Sequence, residues 1–183
     1  MKNKELAPFY DRVYKKGERR HYTSLFLSGR KPPLAKQAVL GAISWRGKRV
    51  LDAGCGTGQM AYLVARRGAK EVLGVDYSQE AIAEAQKRYR APNLSYRCAD
   101  IAGIGGKYDA IVILGTIEHL DRPLKILRHL ARILAPGGSL IVTCPNWTNP
   151  RGYILMALLH LFGAPVTLAD LHYLTPVEFE KWA

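Results

Sequence analysis

Val50-Leu51-Asp52-Ala53-Gly54-Cys55-Gly56-Thr57-Gly58 is the stretch that decides the fold. A short apolar run ends in an aspartate, three glycines follow at alternate positions, and an apolar-periodic stretch from Gln59 to Arg67 comes next. That order reads as strand, glycine bend and helix. Glycines at such a bend let the backbone take positive φ and let a ligand lie directly on the main chain. The bend also faces the positive end of the helix that follows it.

Working outward, further short apolar runs follow: Val72-Leu73-Gly74-Val75, residues 94–98, residues 110–114 and Leu140-Ile141-Val142. Most are continuous rather than alternating, as parallel strands covered on both faces are. The segments between them read as helices. Ser78 is an N-cap for a helix reaching Tyr89, with Glu80 in its first turn, where a carboxylate suits the helix dipole. Asp121 is the expected cap of the next helix, whose apolar positions Leu124, Leu127, Leu130, Ala131 and Leu134 fall at helical spacing. Pro136-Gly137-Gly138 is expected to turn the chain into the fifth run. Strand–helix alternation with right-handed crossovers gives an α/β, doubly wound, mostly parallel sheet in a three-layer αβα sandwich.

The chain has 183 residues, about one domain, and 48% hydrophobic residues, enough for a real core. Its three cysteines, at 55, 98 and 144, give neither metal spacing nor a disulfide framework. They read as small buried hydrophobes in a reducing, cytoplasmic compartment. The first residues lack the apolar stretch of a secretory signal. Residues 1–49 carry thirteen Lys/Arg against three acids, ten of the twelve net positive charges. Such an arm suits a solvated face, or attraction to nucleic acid, anionic lipid or an acidic substrate. Nucleic acid is the less favoured partner, because no aromatic-interleaved RNA-binding motif accompanies the charge. Three regions follow: a helical cap over 1–47, a core over 48–146, and a lid with the start of a C-terminal helix over 147–183.

The glycine stretch is similar to the motif that opens the Rossmann-like fold of class I S-adenosylmethionine-dependent methyltransferases. The resemblance continues at four later stations: Gly74-Val75-Asp76-Tyr77-Ser78, Cys98-Ala99-Asp100-Ile101, Leu114-Gly115-Thr116, and residues 134–140. It implies strand order 3-2-1-4-5 and the cofactor S-adenosylmethionine. Asp52, Gly54, Cys55, Gly56 and Gly58 would lie along its methionine and ribose. Asp76, beside Tyr77, would accept from both ribose hydroxyls, two acceptors meeting two donors. Asp100 and Ile101 would meet the adenine, and Leu114 and Gly115 the methionine and the transferring methyl. Asp52, Asp76 and Asp100 also have the commoner reading of caps or turn formers after a strand.

Residues 117–123, Ile-Glu-His-Leu-Asp-Arg-Pro, resemble a segment of small-molecule members, among them the ubiquinone-biosynthesis O-methyltransferases. The resemblance implies methyl transfer by in-line displacement to an oxygen or nitrogen of a small or lipid-like acceptor. His119, with Glu118, either takes a proton from the nucleophile or positions the loop. Some members carry an acid where this chain has Gly115, so no metal site is expected. Residues 170–176 resemble a segment of members that act on polysaccharides and lipids. There His172 either lines the pocket or ties the turn to the body, and Thr175, Pro176 and Glu178 form a capping box. The apolar stretch 153–162 reads as a lid, or as a dimer or membrane-surface face, and is too short to span a bilayer. His160 in it reads as ordinary helix surface or core. Tyr10, Arg20 and Tyr22 of the cap are the candidates to touch the cofactor carboxylate.

The family fold continues into an antiparallel strand pair, which is not expected within this chain; on that reading the chain is shortened. Two other functions stay open. One is a nicotinamide-dependent oxidoreductase, although its G-x-G-x-x-G pattern would put a glycine at Gln59 and here Gly58 comes one residue early. The other is a non-catalytic cofactor- or partner-binding module.

Overall fold

The structure, a computed structural model, describes residues 8–12, 34–163 and 171–183. Five strands form one sheet: β1 (Arg49–Ala53), β2 (Glu71–Asp76), β3 (Leu94–Cys98), β4 (Tyr108–Leu114) and β5 (Leu134–Thr143). Their order is β3-β2-β1-β4-β5, and every neighbouring pair is parallel. The helical elements are α1 (residues 8–12), α2 (Leu34–Ala42), α3 (Gln59–Ala65), α4 (Gln79–Arg88), α5 (Pro123–Arg132), α6 (Pro150–Phe162) and α7 (Pro176–Trp182). Short 3-10 turns, η1 (Ile101–Gly103) and η2 (Ile117–His119), follow β3 and β4.

Successive strand residues point to opposite faces, so the sheet has two cores. Val50, Val72, Ala110 and Val112 pack with α2 and α3 on one side. Leu51, Leu73, Ile111 and Ile113 pack with η2 and with Ile126 and Leu130 of α5 on the other. Burial on both faces is why the strands read as unbroken apolar runs. Building outward from β1 first to β2–β3 and then to β4–β5 leaves a crevice at the carboxyl ends of β1 and β4. Ligands bind at such a switch point in open α/β sheets.

Several local expectations differ from what is found. Helix α5 is capped by the backbone of Arg122, with no side-chain cap, not by Asp121. Pro123 at its first position sets φ and starts the helix one residue later than an Asp121 cap would. Its core contacts are therefore Pro123, Ile126 and Leu130, while Ala131 is exposed and Leu134 already belongs to β5. Pro136-Gly137-Gly138 does not precede the fifth strand but lies inside it. Tyr108 pairs with Leu134 and Ala110 with Ser139, so the extra residues of β5 loop out as a bulge, with Gly137 at φ 73°. Cys98 is exposed and Cys144 half-buried, leaving Cys55 as the one buried thiol of the three. Ser78 does cap α4, accepting from the Ala81 N–H, and Thr175 with Glu178 forms the expected capping box.

Candidate functional site

Gly54, Gly56 and Gly58 all take positive φ, at 79°, 51° and 80°. Two of them are also held to glycine by contact. A Cβ on Gly54 would lie 2.3 Å from Thr116 Oγ1, and one on Gly58 would lie 2.5 Å from the Tyr96 hydroxyl. The bend is tied to β2: the N–H groups of Gly54 and Cys55 both donate to the Val75 carbonyl, at 2.8 and 2.9 Å. The Gly56 N–H donates to Asp76 Oδ2 at 2.8 Å, and the Ser78 N–H to Asp76 Oδ1 at 2.9 Å. A carboxylate can accept more bonds than these, so Asp76 keeps capacity for a further donor, and the side chain is only half-buried at the crevice edge.

Asp52, at the foot of the bend, is 2% exposed, and its Oδ2 has no hydrogen-bond partner among the described residues. Burial pushes its carboxyl up to about 7, opposed by the Lys36 ammonium and the Ala61 N–H. Lys36 reaches across from α2 to donate to Oε1 of Gln59, the first residue of α3. Burial lowers its pKa, and the charge of Asp52 works against that. Burial also raises Asp76, with the N–H groups of Ser78, Gly56 and Tyr77 opposing. The thiols of Cys55 and Cys98 are pushed up by burial first and by neighbouring carboxylates second, which leaves them protonated.

At the end of β3 the exposed Asp100 accepts from the Ala102 N–H at 2.8 Å and caps η1, so the cap role is realised with one oxygen. Ile101 is buried. Tyr77 is half-buried beside Asp76, and its carbonyl accepts from the Cys98 thiol. Leu114 ends β4, and the Gly115 N–H donates to the Thr143 carbonyl at 2.9 Å.

Glu118 and His119 lie in η2, both nearly fully buried, with His119 Nε2 3.9 Å from Glu118 Oε1. That is an ion-pair distance, too long for a hydrogen bond. The Tyr10 ring of α1 meets His119 edge-on at 5.8 Å. The Leu171 and His172 N–H groups both donate to the Glu118 carbonyl, and His172 Nε2 meets the Leu120 carbonyl at 2.8 Å. A carbonyl only accepts, so that nitrogen carries the proton. His172 therefore ties the C-terminal segment to η2. It also lines an open depression of about 450 Å³ with Arg122, Lys125, Tyr173 and Trp182. His160 is exposed on α6, its ring 6.4 Å from that of Tyr173.

Two groups of side chains emerge. Asp52, the three glycines and Asp76 converge at the ends of β1 and β2, while Glu118, His119 and His172 meet beyond β4. Asp100 stands at the end of β3, at the rim. Arg20 and Tyr22 lie outside the described residues. Lys36, Tyr96, Asp11 and Trp147 were not singled out in the sequence. Asp11 accepts from the Ser78 hydroxyl, holding α1 against the start of α4. The buried indole N–H of Trp147 has no partner among the described residues, and its ring packs edge-on against Tyr173 at 4.9 Å. No local pattern marks these residues, because each acts across a long sequence gap. Among the described residues no three His, Cys, Asp or Glu side chains converge as a metal site would need.

Residues 50–138 match a family model described as a methyltransferase domain. The ubiquinone biosynthesis O-methyltransferase of Dechloromonas aromatica is 30% identical over 165 residues, 82% of this chain and 68% of that protein. Its namesake from Alkalilimnicola ehrlichii is 32% identical over 151 residues, 75% of this chain and 59% of that protein. The chain thus spans about two thirds or less of these curated relatives. Among solved structures, magnesium protoporphyrin IX methyltransferase from Synechocystis with bound SAH superposes with a TM-score of 0.73. At 22% identity over 98% of this chain and 86% of that one, it speaks for the fold alone.

Proposed function

This chain belongs to the class I S-adenosylmethionine-dependent methyltransferases of the small-molecule type, and from that premise we propose that it methylates an oxygen or nitrogen of a small or lipid-like acceptor. The observation that carries the reading is Asp52: a buried carboxylate oxygen without a partner among the described residues, beneath a three-glycine bend and across from Asp76. An orphaned buried acceptor is costly, by about 1–3 kcal/mol, unless a ligand supplies the missing donor. The α-ammonium of an amino-acid cofactor supplies it, and Lys36 keeps Asp52 charged enough to receive it. Asp76 then accepts from the two ribose hydroxyls with its spare lone pairs. Tyr77, Asp100 and Ile101 border the adenine. Gly54, Cys55, Gly56, Gly58, Leu114 and Gly115 offer backbone to the rest, and Tyr22 of the cap is assigned to the cofactor carboxylate.

When bound, the cofactor supplies an electrophilic sulfonium methyl, so the protein's work is largely alignment and exclusion of water. Glu118, His119 and His172 lie on the methyl-acceptor side. His119, buried beside Glu118, takes the proton that the nucleophile loses. His172 holds η2 in place. The regions proposed are those read from the sequence: cap 1–47, core 48–146, lid and C-terminal helix 147–183. The nicotinamide reading is not favoured, since Gln59 stands where its glycine belongs and the matched relatives are named methyltransferases. The reduced thiols suit the cytoplasm. The exposed side of α6 is the face a homodimer would use.

Calorimetry with S-adenosylmethionine and S-adenosylhomocysteine tests the cofactor site; binding of both, and not of NAD, is expected. Transfer of labelled methyl to a panel of phenols, amines and lipid extracts tests the acceptor class. A folded sample with no heat of binding overturns the reading at its base. Cofactor binding with label only on polysaccharide or protein overturns the acceptor class alone.

A further inference from the structure

Five stretches lead into the five strands: residues 43–49, 66–71, 86–93, 103–109 and 132–133. Together they hold eleven Lys or Arg and only two acids, Glu71 and Asp109. Arg46, Lys48 and Arg49 enter β1, and Arg66, Arg67 and Lys70 enter β2. Lys48 is half-buried and the other five are exposed. In an all-parallel sheet every such stretch arrives at the same end. The bases therefore collect at the amino end of the sheet, opposite the crevice.

Hydrogen bonds join the stretches into one face. The Gly47 N–H donates to the Gly68 carbonyl at 2.9 Å, and the Lys70 N–H to the Lys48 carbonyl at 2.8 Å. Asn93 Nδ2 donates to the carbonyls of Ala65 and Ala69 at 3.2 and 2.6 Å. On the other flank the Arg49 N–H donates to Asp109 Oδ2 at 2.7 Å, and Lys107 Nζ to the Arg132 carbonyl at 2.8 Å. Both acids of the face are engaged by Arg49, since Glu71 pairs with its guanidinium at 3.1 Å. Helix dipoles draw bases to helix carboxyl ends, which accounts for Lys87 and Arg88 in the last turn of α4. They do not account for Lys48, Arg49, Lys70 and Lys107, each at a strand's first residue or one before it.

What the face lacks decides what it meets. None of the large apolar side chains that stand exposed among the described residues lies in these stretches. A protein partner is held at an apolar core with aromatic anchors, and a bilayer surface takes up apolar side chains. This face offers neither. A phosphate backbone asks for cations alone, and paired bases need no stacking partner. The planar fork of arginine, the commoner base here, matches phosphate oxygens.

We propose that the amino end of the sheet docks the phosphate backbone of double-stranded nucleic acid. The docked duplex holds the protein in place from the end opposite the crevice and is not its methyl acceptor.

Fluorescence anisotropy with short mixed-sequence duplexes of RNA and of DNA tests it. Binding of either duplex is expected, weakening steeply as salt rises. The variant Arg66→Glu/Arg67→Glu/Lys70→Glu should bind at least about tenfold more weakly, with a flatter salt dependence and an unchanged thermal transition. Should it lose its transition, Gln at the same three positions takes its place. The variant Arg122→Glu/Lys125→Glu/Arg128→Glu makes the same charge change on α5 and should lose far less. No binding of either duplex at low salt overturns the proposal. Equal losses in the two variants also overturn it, because net charge alone would then suffice. Sedimentation with phosphatidylglycerol vesicles, without binding of either duplex, would give the face to a bilayer and overturn it too.

Discussion

The Tyr96 hydroxyl donates to the Gly58 carbonyl at 3.2 Å, and its ring fills the space that a side chain at Gly58 or at Gly74 would need. A Cβ on Gly74 would come within 2.7 Å of that ring. Tyr96 thus props the glycine bend from β3. Burial pushes its phenol well above the ordinary tyrosine value, so it stays a donor throughout the working range of pH.

Gly58→Ala combines a clash with a φ of 80° that alanine rarely adopts, and is expected to cost roughly 1–3 kcal/mol of stability. Tyr96→Phe keeps the ring and loses only the hydrogen bond, about 1 kcal/mol. Urea unfolding of both variants checks the order. Calorimetry should show S-adenosylhomocysteine affinity falling much further in Gly58→Ala than in Tyr96→Phe. Full affinity in Gly58→Ala would separate the bend from the cofactor.

The middle of the sheet was legible because β1, β2 and β4 are buried on both faces and read as continuous runs. The run 94–98 matched β3 to the residue although none of its positions is fully buried, and the run 140–142 caught only the end of β5. What failed was what local pattern cannot carry. The looped-out residues inside β5 look like a turn before a strand, since proline and glycine mark both equally well. Of the leucines of 124–134 that drew the helical stripe, Leu130 alone is fully buried, and Pro123 and Ile126 complete the buried face of the helix. Glu118 and His119 were visible as a motif. The Lys36–Asp52 juxtaposition was not, because it exists only once α2 folds back over the bend.

Asp52 gives a pH signature. Its folded pKa of about 7 lies above the ordinary carboxylate value, so the native state binds more protons between about pH 4 and 7. Stability should therefore fall as pH rises through that window and level off outside it. Asp76, also raised, contributes with the same sign. Asp52→Asn should flatten much of the slope, leaving the part due to Asp76. Chemical unfolding from pH 4 to 8 at fixed ionic strength checks this; an unchanged slope in the variant would remove Asp52 as its source. A bound ammonium would pull the Asp52 carboxyl down, so cofactor binding near pH 6.5 should release protons, readable from calorimetry in buffers of different ionisation enthalpy.

Asp76→Asn exchanges two acceptors for one and places an NH₂ group against the N–H of either Gly56 or Ser78. Loss of a charged hydrogen-bond partner costs about 1.5–3 kcal/mol, or roughly 10- to 100-fold in affinity. S-adenosylhomocysteine binding should weaken by that factor. Asp100→Asn should weaken it less, since Asp100 is exposed and spends one oxygen on the Ala102 N–H. Equal losses at the two positions would contradict the unequal roles given to them.

His119 and His172 should separate in kinetics. His119→Ala is expected to lower kcat by about 10²-fold or more, with S-adenosylhomocysteine affinity retained. His172 presents a proton to the Leu120 carbonyl, and its own N–H holds the Glu118 carbonyl. Its part is to fix η2, so His172→Asn, which keeps a donor, should preserve more activity than His172→Ala. A large loss of kcat in His172→Asn, with His119→Ala near wild type, would reverse the assignment: the proton would then leave through His172, and His119 would be the residue that only packs.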